Sequence, residues 1–283
     1  MEKKIIGFID HYLNEWHADN YPAWIDQYGG GEFEVKYAYA EVEPTIEGRI
    51  SNREWAEKHG ITLLSTIEEL VEKCDGIIVL SPDNSERHYD LSYAALSSGK
   101  PVYIDKTFAD TGAEATRIFA VGEAYKAPCF SSSALRFSEK IAPIVREDID
   151  SIVSTGGGHP DTYLIHQLEP IVTLMGADVA RVMYYGTPMA PAWVLAFADG
   201  RNATITQLAG PADFVLHVNH ADADRNETVV IDDGFFKGLI HAILHMFRTG
   251  EIPVSHRDTI GIMAIRETCL RAMEQPYTWL PVE

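Results

Sequence analysis

Residues Cys74–Thr111 read CDGIIVLSPDNSERHYDLSYAALSSGKPVYIDKTFADT, and this stretch decides the fold. It holds two short apolar runs, Gly76–Leu80 and Pro101–Ile104, of the kind that form buried strands. Between them Tyr89, Leu91, Tyr93, Ala94, Ala95 and Leu96 make a helical stripe that stops at Ser97-Ser98-Gly99. Gly99 suits the left-handed residue that closes a helix, and Pro101 cannot continue one. Strand, helix and strand within about thirty residues form a unit that joins parallel strands by a right-handed crossover. Polar residues gather where each strand ends: Ser81-Pro82-Asp83-Asn84 after the first, Asp105-Lys106-Thr107 after the second. Ligands of open parallel sheets bind outside the carboxyl ends of the strands. Lys106 is therefore expected at a small-molecule site.

These motifs resemble the end of the nucleotide-binding domain of the Gfo/Idh/MocA oxidoreductases. That family carries a T-P-N-x-x-H-like turn, a helix ending in A-G-K, a short strand and then E-K-P. Here the matching residues are Ser81-Pro82-Asp83-Asn84 with His88, then Ser98-Gly99-Lys100, then Asp105-Lys106-Thr107. The resemblance implies a Rossmann-type α/β domain over 1–127. An α+β domain with an open, mostly antiparallel sheet is expected over 128–283. It also implies an NAD(P)-dependent oxidoreductase interconverting carbinol and carbonyl on a sugar, polyol or related molecule. A homodimer or homotetramer formed through the C-terminal sheet belongs to the same expectation.

At 283 residues with 46% hydrophobic and 23% charged residues, the composition is that of a water-soluble chain of two domains, or one large one, with a sizeable core. No apolar run approaches the roughly 20 residues of a membrane span. The start, MEKKIIGFID, lacks the long apolar stretch and cleavage site of a signal peptide. Cys74, Cys129 and Cys269 form no C-x-x-C pair, so buried thiols in a reducing, cytoplasmic setting are expected. Formal charge is 23 − 42 = −19, which excludes the basic footprint that nucleic acid or an anionic membrane requires.

Lys3–Ile9 reads as the first strand. In a dinucleotide-binding fold it should run into G-x-G-x-x-G, which lets the backbone approach a pyrophosphate. Aligned on the strand, and on Glu15-Trp16-His17 as the family's x-x-H, those six positions are Ile9-Asp10-His11-Tyr12-Leu13-Asn14. None is glycine. Three readings stay open: a shifted cofactor pose with His11 or Asn14 as donors, loss of the dinucleotide, or a different alignment. Asp10, His11, Glu15 and His17 invite a metal reading, but His11 and His17 are spaced i,i+6 and would not share a helix face, so no metal is expected. Glu41 closes the strand Phe33–Ala40, where an acidic residue accepts from ribose hydroxyls and favours NAD over NADP. With these, the resemblance assigns cofactor contacts to Ile9, Asp10, His11, Glu41, Ser81, Pro82, Asn84, His88, Asp105 and Lys106. NAD is the cofactor expected, or none.

The second half changes character. Phe137–Val145 reads as a helix and Asp148–Ser154 as a strand. Gly156-Gly157-Gly158 forms a turn feeding the helix Thr162–Met175, with Pro160 suited to its first turn. Short β runs follow at 181–185, 193–197, 203–208, 214–220 and 228–231, with Asp199-Gly200 as a hairpin signal. Helices at 235–248 and 258–273 close the chain. The family supplies its catalytic histidine from G-G-G-x-x-x-D-x-G-x-H-x-x-D. His166 matches that histidine and Glu169 the last acid, while Thr162 replaces the first acid and Leu164 the inner glycine. The resemblance thus makes His166 the acid/base, its free pKa near 6.5 suiting proton transfer at neutral pH, and Lys106 its electrostatic partner. Arg136, Thr162 and Glu169 are the expected substrate contacts, with Glu169 orienting His166. The rival expectation is a non-catalytic ligand-binding or regulatory relative that has lost the dinucleotide.

Overall fold

The computed structural model describes residues 3–283; the first two residues of the expected domain 1–127 lie outside it. The chain packs as two units. The first comprises the chain up to Ala109 with Glu114–Ser131 and Leu239–Ser255; the second comprises Asp110–Ala113, Ser132–Gly238 and His256–Glu283.

The first unit is built on six parallel strands: β1 (Lys4–Asp10), β2 (Phe33–Ala40), β3 (Thr62–Leu63), β4 (Gly76–Val79), β5 (Val102–Ile104) and β6 (Cys129–Phe130). Their order is β3-β2-β1-β4-β5-β6, the arrangement of a dinucleotide-binding sheet. Connections run through α1 (Trp16–Tyr28), α2 (Asn52–His59), α3 (Ile67–Lys73), α4 (His88–Ser97) and α5 (Gly112–Tyr125). The apolar run of β4 is wholly buried, as a strand covered on both faces must be. Helix–strand contact is close: a methyl group on Gly7 of β1 would lie 2.5 Å from a Leu70 carbon of α3. The stop signals operate as the sequence implies, with Gly60 and Gly99 left-handed at φ 67° and 75°.

The second unit is a seven-stranded sheet of β7 (Ile149–Gly157), β8 (Val179–Tyr184), β9 (Ala192–Phe197), β10 (Asn202–Leu208), β11 (Phe214–His220), β12 (Glu227–Ile231) and β13 (Trp279–Pro281). Only β7 and β10 run parallel in the order β12-β11-β7-β10-β9-β8-β13. Helices α6 (Pro160–Met175) and α8 (His256–Ala272) pack on one another, and Trp193 of β9 donates to the Cys269 carbonyl of α8 at 2.8 Å. Burial alternates along β7, so Ile152 is enclosed while Val153 faces out.

Two sequence expectations need correction, and two further findings go beyond them. Phe137–Val145 forms no α-helix: a single 3-10 turn at Ala134–Phe137 gives way to turns, because Ser138 is extended and Pro143 has no N–H to donate. Gly156 and Gly157 belong to the end of β7, and only Gly158, at φ 100°, makes the turn. Strand β13 carried no pattern strong enough to be read. The division at 127/128 put α7 (Phe235–Thr249) with the second half, whereas packing groups Leu239–Ser255 with the first unit. The reason is steric: a methyl on Gly76 of β4 would meet the Phe247 ring at 2.7 Å, and Lys4 donates to the Phe247 carbonyl at 3.1 Å. Among the described residues no helix is long and apolar enough to cross a membrane.

Candidate functional site

The carboxyl ends of β1, β2, β4 and β5 bring together most of the residues expected at a cofactor. Asp10 ends β1 and is buried; one carboxylate oxygen accepts from Ser81 N at 3.0 Å, and the other has no hydrogen-bond partner. Burial, then the neighbouring Glu15, pushes the Asp10 carboxyl well above the usual range. Ser81 holds a positive φ of 68° and its hydroxyl donates to the Asn84 carbonyl at 3.2 Å. Lys106 is buried, with Nζ donating to the Pro82 carbonyl at 3.2 Å. Beside it Asp105 accepts from Tyr103 at 3.1 Å and pairs with His17 Nδ1. Burial works against ionisation of Asp105, but His17 and then Lys106 outweigh it and hold the carboxyl low.

At the end of β2, Glu41 pairs with the Arg87 guanidinium through two nitrogens and with His11 Nδ1 at 2.8 Å. The Arg87 contact, opposed by burial, keeps Glu41 below the ordinary carboxylate range. Three expected contacts have partners within the protein itself. His88 is fully buried, with its ring nitrogens 2.7 Å from the Leu80 carbonyl and 3.0 Å from that of Phe108, so it clamps backbone. Ile9 is enclosed in the sheet, its carbonyl accepting from Leu80 N at 2.8 Å. Asn84 turns its amide to Glu86 at 3.1 Å.

Glu15, His17 and Arg87 were not read as site residues. Glu15 is the N-cap of α1: its buried carboxylate accepts from Ala18 N and, at 2.7 Å, from His17 N. Burial, eased by His17, pushes its carboxyl up to about 7. An acidic residue just before an apolar-periodic helix is a capping signal, and it was available in the sequence. The turn before α1 also points its donors inward. Leu13 is fully buried and its N–H reaches Asn52 Oδ1 at 2.9 Å.

A Rossmann fold seats pyrophosphate at the amino end of this helix, on free N–H groups and close to backbone. Here those N–H groups are held by the Glu15 carboxylate and Asp10 lies buried beside it. The residues present do not fit a pyrophosphate in that position. Among the described residues no group of three histidine, cysteine, aspartate or glutamate side chains could hold a metal ion.

The second unit carries its own polar cluster. His166, on α6, has Nδ1 2.7 Å from Ser133 Oγ. Its ring makes edge contacts with Tyr163 and Phe214, centroids at 5.3 and 5.7 Å. Buried Glu169, one turn along, accepts from Arg136 Nε at 2.6 Å and from Ser132 Oγ at 3.2 Å. Arg136 also reaches Asp258 at 3.3 Å. Burial works against the Arg136 charge, and Glu169 and Asp258 outweigh it, raising its pKa. Glu169 therefore does not orient His166 as expected; the guanidinium, a charge-assisted partner, claims it, and Ser133 holds the imidazole. Thr162, one turn before His166, is half-buried at the start of α6.

By sequence, residues 40–132 match the Gfo/Idh/MocA oxidoreductase family with its NAD-binding Rossmann fold, starting beyond the turn 9–14. No curated protein matches the chain. Among solved structures, it is similar to a scyllo-inositol dehydrogenase from Lactobacillus casei with bound NAD(H) and scyllo-inositol, at 13% identity and TM-score 0.79, covering 99% of each chain. It is similar to a myo-inositol dehydrogenase from Corynebacterium glutamicum at 14% identity and TM-score 0.78, covering 100% of this chain and 99% of that one. A myo-inositol 2-dehydrogenase from Lactobacillus plantarum gives 14% identity and TM-score 0.78 with both chains fully covered. At such identities the likeness is one of fold. The family match covers residues 40–132 of 283, and the first unit carries a Rossmann fold.

Proposed function

We propose that the chain is an oxidoreductase acting on a CH–OH group of a sugar, polyol or related small molecule, with the proton half of the reaction carried by His166. The observation that supports it most is the setting of that imidazole, held at Nδ1 by Ser133 and boxed by Tyr163 and Phe214. In the tautomer whose Nδ1–H donates to Ser133 Oγ, Nε2 is the nitrogen able to take a hydroxyl proton. Arg136 ties down Glu169, so the cluster presents ordered polar groups for hydroxyl recognition. Lys106 belongs to the other unit, and each residue is to be tested by itself. The names of the structural relatives, inositol dehydrogenases, favour a cyclic polyol. A homodimer or homotetramer through the outward face of the C-terminal sheet, in the cytoplasm, is part of the same proposal.

A second reading is a ligand-binding relative without turnover, and one observation favours it: the Glu15 carboxylate on the α1 donors. The deciding assay incubates purified protein with a polyol and sugar panel and NAD+, NADP+ or a dye acceptor, and quantifies carbonyl product as hydrazone. Product that disappears in His166→Ala supports oxidoreduction. No product with any acceptor, alongside calorimetric binding of a polyol, leaves the binding reading.

A further inference from the structure

We propose that the family's pyrophosphate position is closed in this protein, filled by the Glu15 carboxylate with Asp10 beneath it, so that the diphosphate portion of a dinucleotide is excluded there. Three independent features argue for it. The first is occupancy. A phosphate at a helix amino end needs the unsatisfied N–H groups of the first turn, and His17 N and Ala18 N already donate to Glu15. Of the turn before the helix, Leu13 N is committed to Asn52.

The second is charge. Asp10, Glu15 and Asp105 are all buried at this end of the sheet. Of the nearby cationic groups, His17 is paired with Asp105 and Lys106 is turned to the Pro82 carbonyl. A diphosphate would bring about two negative charges into a region of low dielectric lined by carboxyl groups.

The third is the neighbouring ribose position. Glu41, expected to accept from ribose hydroxyls, is held by Arg87 and His11 instead. The two footholds that a Rossmann fold offers a dinucleotide are both satisfied by the protein's own side chains.

The test is calorimetric titration with ADP-ribose and inorganic pyrophosphate, neither of which depends on turnover. Wild type is compared with Glu15→Gly, which vacates the helix end, and with Asp10→Asn/Glu15→Gln, which keeps one capping oxygen and removes the ionisable carboxyls. The double variant retains a capping oxygen and protects the result against simple misfolding. Wild type is expected to bind both probes more weakly than about 1 mM, with either variant binding at least about tenfold tighter. Micromolar binding to wild type overturns the proposal, as does an absence of gain in both variants. Product formation from polyols is decided separately, so failure of the oxidoreductase reading and failure of this one give different results.

Discussion

Gly156 lies so close beneath Phe214 that a methyl group on its Cα would come 2.5 Å from the ring. The ring it makes room for is one of the two that hold His166 edge-on. The glycine run is therefore a packing device as well as a turn. Gly156 admits Phe214, and Gly158, at φ 100°, admits Tyr163. Gly156→Ala is expected to push Phe214 off the imidazole and to destabilise the protein by about 1–3 kcal/mol through overpacking. Urea unfolding measures the cost. A variant as stable as wild type would mean that Phe214 repacks freely and does not fix His166.

Arg136 and Glu169 form an enclosed ion pair of the second unit, with side-chain exposures of 10% and 2%. Removing one partner leaves a buried charge. Arg136→Met is expected to cost about 3–5 kcal/mol, and adding Glu169→Gln should recover much of it, because the amide needs no counter-charge. The double-mutant cycle checks this. Additive losses would show that Ser132 and water suffice for Glu169.

The sequence was most legible where one local rule acted alone. Gly76–Leu80 had no polar residue to expose, so a strand buried on both faces was the only economical reading, and Gly99 with Pro101 marked where the next helix had to stop. His166 was legible through its glycine run. Its partner was not. Glu169 is three residues on and looked like the orienting group, but Arg136, 33 residues earlier, takes that carboxylate. Arg87 and Glu41 are 46 residues apart, and nothing local in either segment reveals the pairing. The amphipathic pattern of α7 showed that it had an apolar face without showing which sheet would cover it. Glu15 was open to recognition as a helix cap, and the family's glycine turn drew attention away from it.

Asn52 fastens the turn before α1. Its side chain accepts from Leu13 N at 2.9 Å and donates to the Val42 carbonyl at 2.7 Å, in a residue only 3% exposed. Asn52→Ala strands the buried Leu13 N–H, and a loss of about 1–3 kcal/mol is expected, with faster amide exchange at Leu13. Unchanged exchange at Leu13 would show that the turn is held by other contacts.

Glu15 should also write itself into the pH dependence of stability. Burial raises its carboxyl in the folded protein to about 7, against 4.5 for the free group. A raised carboxylate pKa means that the folded state binds the proton more tightly than the unfolded one. The resulting stabilisation is fully present below about pH 4.5 and is lost as pH rises through about 7. Asp10, raised by burial and by Glu15, adds a contribution of the same sign. Asp105 and Glu41, both lowered, act oppositely: their stabilisation is present above the ordinary carboxylate range and is lost as pH falls below it. Between about pH 5 and pH 8 the raised group therefore sets the slope. Glu15→Gln keeps one capping oxygen but cannot ionise, so its stability relative to wild type should rise by on the order of 3 kcal/mol between about pH 5 and pH 8. Urea unfolding of both proteins across that range decides it. Parallel profiles would mean that Glu15 titrates as an ordinary solvated carboxylate, and that the helix end it occupies is open to water.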